Sequence, residues 1–234
     1  MERAPDLCYN RIMSELNLFN YFRSSTSYRV RIALELKNLS YTYTPVHLVN
    51  NGGEQNSENY RQLNPIGGVP TLMHGDRALS QSFAIVEYLD ETFNSGAALF
   101  PRDAFARAKV RQFCELINAD IHPLQNLRVM QYLEKQIHLT PEQKNTWLNK
   151  WIVGGLTAAE KTIADFSGTY CFGNEVTAAD LFLIPQLFSA QRFQIDITHF
   201  KKLAEINERC LQLPGFRKAH PYRQVDTPDD LRIP

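Results

Sequence analysis

Apolar and polar positions along the chain change their spacing as it proceeds. Residues 16–22 (LNLFNYF) alternate aliphatic and aromatic side chains and predict a first strand. Tyr28, Ile32, Leu34 and Leu36 then recur among Arg29, Arg31, Glu35 and Lys37, which predicts a helix through residue 37 that ends at Asn38. The hydroxyl cluster Ser24-Ser25-Thr26-Ser27 opens it, because such side chains accept from the unpaired N–H groups of a first helical turn. Residues 41–49 are β-branched and aromatic and predict a second strand, completing a βαβ unit. Polar residues 50–57 and the Asn64-Pro65/Gly67-Gly68 stretch predict loops. Residues 69–73 (VPTLM) form a short strand that begins at a proline, which suits a strand end or an unusual turn with a cis bond. The turn His74-Gly75-Asp76 leads to a partner strand at 77–79, and Ser80-Gln81-Ser82 caps a helix carrying Phe83, Ile85, Val86 and Leu89.

Beyond a linker at residues 94–102 the period is helical almost throughout. Helices are expected from 104 to 118 or beyond, onward past Pro123 to 139, and over 141–163, 177–192 and 199–211, with Pro123 kinking or interrupting its helix. Thr177 and Asp180 have the spacing of a capping box, flanked by Val176 and Leu181. The expected architecture is α/β plus all-α: an N-terminal extension at 1–14, a small α/β domain at 15–97 and an all-helical domain at 104–225.

Composition narrows the classes of function. The 25 Lys+Arg and 25 Asp+Glu cancel, which removes any global attraction to nucleic acid or an anionic membrane. The longest strongly apolar stretch, residues 181–185, is far below the ~20 residues a bilayer span needs. Cys8, Cys114, Cys171 and Cys210 are scattered without a CxxC, and the histidines form no HExxH, so neither a disulfide framework nor a metal site is expected. The three later cysteines read as packing residues. The first residues lack a secretory signal, Met13 is a candidate start, and a reducing, cytoplasmic compartment is expected.

Several side chains carry candidate chemistry. Ser24-Ser25-Thr26 closes a strand and opens a helix, where free N–H groups and the helix dipole favour an anion such as a thiolate. Alone, the cluster also reads as an ordinary cap, and so does Gln81-Ser82, whose setting suits a carboxylate. His122 and Asn126 share a face of an uninterrupted helix. On such a helix Arg128 points about 200° from Asn126, so a kink or the long arginine stem must bring it inward.

The motifs together carry a resemblance. Residues 21–34 (YFRSSTSYRVRIAL), Asn64-Pro65 with residues 69–72 (VPTL), Gln81-Ser82 with Ala84-Ile85 and residues 87–89 (EYL), residues 122–128 (HPLQNLR), residues 190–194 (AQRFQ) and the late stretch 224–228 fall in the order and spacing of the zeta-class glutathione transferases. The resemblance runs from about residue 15 to 231. It implies an N-terminal thioredoxin-like βαβ-ββα domain followed by a helical domain, with glutathione as cofactor. By the same resemblance Ser24, or Ser25 second, stabilises the glutathione thiolate beside Arg23. Gln55, Val69, Pro70, Gln81, Ser82, His122 and Asn126 bind glutathione, with Gln81-Ser82 at the γ-glutamyl end and Val69 before Pro70 at the cysteinyl part. Arg23, Arg128 and Arg192 match arginines that clamp a dicarboxylate in maleylpyruvate-type members.

The class contains glutathione-dependent maleylacetoacetate and maleylpyruvate isomerases. The implied reaction is cis–trans isomerisation of maleylacetoacetate to fumarylacetoacetate in tyrosine and phenylalanine breakdown, by thiolate addition, bond rotation and elimination. Maleylpyruvate isomerisation, transfer to α-halo acids and a non-catalytic binding protein are the alternatives. The resemblance also implies a homodimer, with no nucleic-acid or membrane partner. Thr26 departs from the cysteine that many members carry, so a protein thiol is not the nucleophile at that position.

Overall fold

A computed structural model describes residues 15–234. The expected extension at 1–14, with Cys8 and the candidate start Met13, lies outside the described residues. The chain forms two compact units, one made of residues up to Gly96 together with Lys218–Pro234, the other of Ala97–Arg217. The tail expected to run with the helical domain as far as residue 225 belongs from Lys218 to the first unit.

The first unit is built on a four-stranded mixed sheet in the order β2-β1-β3-β4. Its strands are β1 (Leu16–Asn20), β2 (Thr42–Pro45), β3 (Thr71–His74) and β4 (Arg77–Ser80). β1 runs parallel to β2 and antiparallel to β3, and β4 pairs antiparallel with β3, so that Leu18, Leu72 and Leu79 stand in one row. Helices α1 (Ser25–Leu36) and α3 (Ser82–Thr92) pack on each other, and Tyr28, Ile32, Leu34, Ile85, Val86 and Leu89 join Leu18 and Leu72 in the core.

The end of β1, the end of β2 and the start of β3 differ from their expected limits, each for a visible reason. β1 stops at Asn20 rather than 22 because the next backbone groups bond elsewhere. The Phe22 N–H donates to Asp226, and the Tyr21 and Phe22 carbonyls accept from the Arg31 guanidinium. β2 ends at Pro45, which has no N–H to extend a ladder. β3 begins at Thr71, after the cis Val69–Pro70 bond, and the Val69 carbonyl accepts from the Thr26 hydroxyl. A short helix, α2 (Glu58–Leu63), lies between the two expected loops, capped by Ser57. Only Tyr60 in it is buried, too little apolar surface to show as a period.

The second unit holds α4 (Ala104–Glu115), α5 (His122–Gln125), α6 (Leu127–Lys135), α7 (Pro141–Ile163), α8 (Ala178–Arg192) and α9 (Lys201–Gln212). A further helix, α10 (Pro214–Ala219), crosses the boundary between the units. The chain expected to continue past Pro123 to 139, kinked or interrupted at that proline, is three pieces, and the extended residue that breaks it is Asn126. Residues 116–121 widen into a π-helical stretch, Pro123 sits in the first turn of α5, and Asn126 is extended (φ −63°, ψ 144°) as the cap of α6. The π stretch lies tight on α7: a Cβ on Gly155 would fall 2.3 Å from the Ile121 side chain.

α8 is the central helix of this unit, buried along almost its whole length. Its N-terminus bears out the expected capping box. Asp180 accepts from the Thr177 N–H at 2.8 Å and from the Thr177 hydroxyl at 3.3 Å, and its other oxygen takes the Cys171 N–H at 2.9 Å. Cys114, Cys171 and Cys210 are buried, as expected of packing residues, and burial pushes the Cys171 and Cys210 thiols up.

Candidate active site

Three segments of the first unit are tied together by the first turns of α1. Ser24 is the N-cap, its Oγ accepting from the Ser27 N–H at 3.2 Å. The Thr26 hydroxyl lies 2.9 Å from Ser24 Oγ and donates to the Val69 carbonyl at 2.9 Å. One turn on, Arg29 Nη1 donates to Ser82 Oγ at 3.1 Å. Ser24, the Val69–Pro70 turn and Ser82, which the resemblance implies share one ligand, are thus linked through Thr26 and Arg29. Ser25 is buried in the first turn and Arg23 is half-buried just before the cap.

The Gln81-Ser82 pair works differently from expectation. Gln81 occupies the N-cap position of α3 with a left-handed backbone (φ 72°), and its side chain makes no capping bond. Ser82 is buried, and because its oxygen accepts from Arg29, its own proton remains available to a ligand carboxylate. Gln55 folds over Gly53, where a Cβ would come within 2.4 Å of the Gln55 amide. Its Nε2 donates to the Leu48 carbonyl at 3.3 Å, while its buried Oε1 accepts no hydrogen bond among the described residues.

Sequence reasoning passed over the support beneath this turn. Arg29 and Arg31 entered the expected helix only as residues among which its apolar positions recur, yet both are fully buried. Arg31 donates to the Ala219 carbonyl at 3.0 Å, to Asn20 Oδ1 at 2.9 Å and to the Phe22 carbonyl at 2.9 Å. Asp226 accepts from the Phe22 N–H and from the Tyr43 hydroxyl, and burial raises the Tyr43 pKa well above its ordinary value. Two positions apart on a helix, Arg29 and Arg31 lie about 200° from one another, so no single face of the helical period marks them both.

In the second unit, His122 Nε2 and Asn126 Nδ2 meet at 3.3 Å, the juxtaposition expected, although no continuous helix makes it. Asn126 Oδ1 also accepts from the Arg128 N–H at 3.2 Å. Asn126 therefore stands outside α6 as its cap, and the 200° separation on a shared helix does not arise. Gln125 is held from behind by a reciprocal amide pair with Gln186, at 2.7 and 3.2 Å. Arg128 is exposed in the first turn of α6, and Arg192 is exposed at the end of α8, its guanidinium 4.2 Å from the centroid of the Phe193 ring.

Residues 14–91 match the family model described as glutathione S-transferase, N-terminal domain. Over 230 residues the chain is 41% identical to the probable maleylacetoacetate isomerase 2 of Drosophila melanogaster, covering 97% of this chain and 98% of that one. A holo structure of maleyl pyruvate isomerase, titled a bacterial glutathione S-transferase in zeta class, superposes with a TM-score of 0.87 at 39% identity, covering 91% of this chain and 100% of that one. The chain belongs to the zeta class of the glutathione transferases. A second structural neighbour is the maleylacetoacetate isomerase from Anaeromyxobacter dehalogenans, solved with bound dicarboxyethyl glutathione and citrate in the active site. It matches with a TM-score of 0.80 at 36% identity, over 94% of this chain and 97% of that one. Among the described residues no cluster of His, Cys, Asp and Glu could hold a metal, and no helix is long and apolar enough to cross a membrane.

Proposed function

We propose that the protein is a glutathione-dependent cis–trans isomerase acting on maleylacetoacetate. The observation that carries this reading is the convergence on α1 of Ser24, Val69 and Ser82 through Thr26 and Arg29. The donor set fits glutathione. Ser82 offers a hydroxyl proton to the γ-glutamyl carboxylate, the Val69 backbone suits the cysteinyl peptide, and buried Gln55 Oε1 is an acceptor awaiting a donor. Bound glutathione supplies the thiolate, whose reversible addition to a cis double bond lets that bond rotate.

The residues of this chain do the rest. Ser24 stands where a strand gives way to a helix, so its hydroxyl and the N–H groups of the first turn lower the thiol pKa. Ser25 is the second choice for that role. Arg23 stabilises negative charge as it develops on the substrate. Arg128 and Arg192 hold its carboxylates by two-point pairing, and His122 with Asn126 binds by hydrogen bonds rather than by proton transfer. The dicarboxyethyl adduct in the Anaeromyxobacter enzyme supports a dicarboxylate bound beside the sulfur.

Maleylpyruvate is the second reading, favoured by Thr26 together with the three arginines. The deciding experiment supplies maleylacetoacetate and maleylpyruvate separately, with and without glutathione, and follows the fumaryl products. Turnover of maleylacetoacetate only with glutathione, at least a hundredfold above maleylpyruvate, is the expected result. Glutathione binding without turnover of either would overturn the isomerase reading and leave transfer to α-halo acids or a binding role. The same reading carries a homodimer and a cytoplasmic location; light scattering of the purified protein tests the first and fractionation of cells the second.

A further inference from the structure

Thr26 stands two residues after the Ser24 cap, and its bonds are directional. The Val69 carbonyl only accepts, so the single Thr26 proton lies on Val69 O. In the 2.9 Å contact with Ser24, Thr26 Oγ1 is then the acceptor and Ser24 the donor. Ser24 Oγ meanwhile accepts from the Ser27 N–H. The chain of bonds runs one way: Ser27 N–H to Ser24, Ser24 O–H to Thr26, Thr26 O–H to Val69 O.

The Ser24 proton is therefore held by Thr26 Oγ1, although on the reading above that proton stabilises the glutathione thiolate. We infer that Thr26 is a positioning residue that competes with the bound sulfur for the Ser24 proton and so sets the thiol pKa above the value Ser24 alone would give. The inference rests on the glutathione reading of this site. Valine at 26 keeps the shape of threonine but neither accepts nor donates, so the Ser24 proton becomes free for the sulfur. Serine keeps the hydroxyl and both bonds.

The test is the pKa of the bound glutathione thiol, titrated by thiolate absorbance in the full-length protein and in Thr26→Val, Thr26→Ser, Ser24→Ala and the double variant Ser24→Ala/Thr26→Val. Thr26→Val is expected to lower it by about 0.5–1 unit, the size of one exchanged hydrogen bond. Thr26→Ser should leave it unchanged. On the Ser24→Ala background Thr26→Val should have no effect, because Thr26 acts through Ser24. A thiol pKa unmoved or raised by Thr26→Val, or the same shift with Ser24 absent, overturns the inference. Absence of glutathione binding overturns the site reading itself, and an unchanged thiol pKa in Ser24→Ala overturns the role of Ser24; these results differ from a failure of Thr26 alone. Circular dichroism of each variant separates loss of fold from loss of the bond.

Discussion

Asp226 Oδ2 accepts the Phe22 N–H across 3.0 Å, fastening the C-terminal tail to the residue two places before the Ser24 cap. Its other oxygen takes the Tyr43 hydroxyl, so one carboxylate holds the end of β1 and a side chain of β2 together. Asp226→Ala leaves both donors without their partner and should cost about 2–3 kcal/mol in urea unfolding. It should also weaken glutathione binding, because the turn bearing Ser24 loses its anchor. A change below about 0.5 kcal/mol, the range of an ordinary surface substitution, would show that the tail merely rests on the turn.

Ser82 is expected to act on glutathione affinity and not on the chemical step. Ser82→Ala removes the hydroxyl offered to the γ-glutamyl carboxylate and leaves Arg29 Nη1 without that acceptor. The Kd for glutathione should rise about tenfold, with kcat at saturating glutathione changed less than about twofold. A glutathione analogue lacking that carboxylate should bind wild type and variant alike; discrimination between them would remove Ser82 from the carboxylate site.

Asp180 is fully buried and its oxygens accept three hydrogen bonds, from the Thr177 N–H and hydroxyl and from the Cys171 N–H. Burial pushes its pKa up and those bonds pull it down. Asp180→Ala should destabilise the protein by about 3 kcal/mol and lower the melting temperature by several degrees, since buried amides lose their only acceptor at this cap. Asp180→Asn, which keeps one carbonyl oxygen, should recover part of the loss. Equal melting temperatures for the alanine and asparagine variants would contradict this account.

Stability should fall as the medium is acidified from pH 6.5 towards 4. Burial first, then the neighbouring Arg31 and Arg223 charges, depress the His220 pKa to about 4. The unfolded chain therefore binds more protons than the folded one in that window, and unfolding becomes easier as pH drops through it. Protonation also takes the lone pair with which Nδ1 accepts the Tyr222 N–H at 3.2 Å. Allowing for partial solvent access, the effect is on the order of 2 kcal/mol. Urea titrations at pH 7 and pH 5 measure it, and His220→Asn should flatten the difference. Asp180 titrates with the opposite sign, so the comparison between variant and wild type isolates the histidine.

The order of strands and helices was legible because period-two and period-3.6 patterns are local. The ends were not, because distant groups decide them. Phe22 leaves the sheet for a carboxylate that stands 204 positions later, and no window of sequence contains both. Arginine is usually a solvated charge, and only tertiary acceptors such as Ser82 Oγ and the Ala219 carbonyl make the burial of Arg29 and Arg31 tolerable. His122 and Asn126 were paired by the i, i+4 rule, and the pair exists, but across the break between α5 and α6. Thr26 stood out as a departure from the cysteine of its relatives; its bonds to Ser24 and Val69 needed coordinates.

The return of Lys218–Pro234 to the first unit bears on how the protein is made. The first unit lacks the Ala219 acceptor of Arg31 and the Asp226 acceptor of the Phe22 N–H until residues 218–234 have been translated, after every residue of the helical unit. Domains that are continuous in sequence fold as they leave the ribosome, N-terminal first. Here the N-terminal unit must wait for the acceptors of the Arg31 Nε–H and the Phe22 N–H, and the helical unit is the one free to fold early. A chain ending at Arg217 would therefore carry every residue of the helical unit and a first unit short of two hydrogen-bond acceptors.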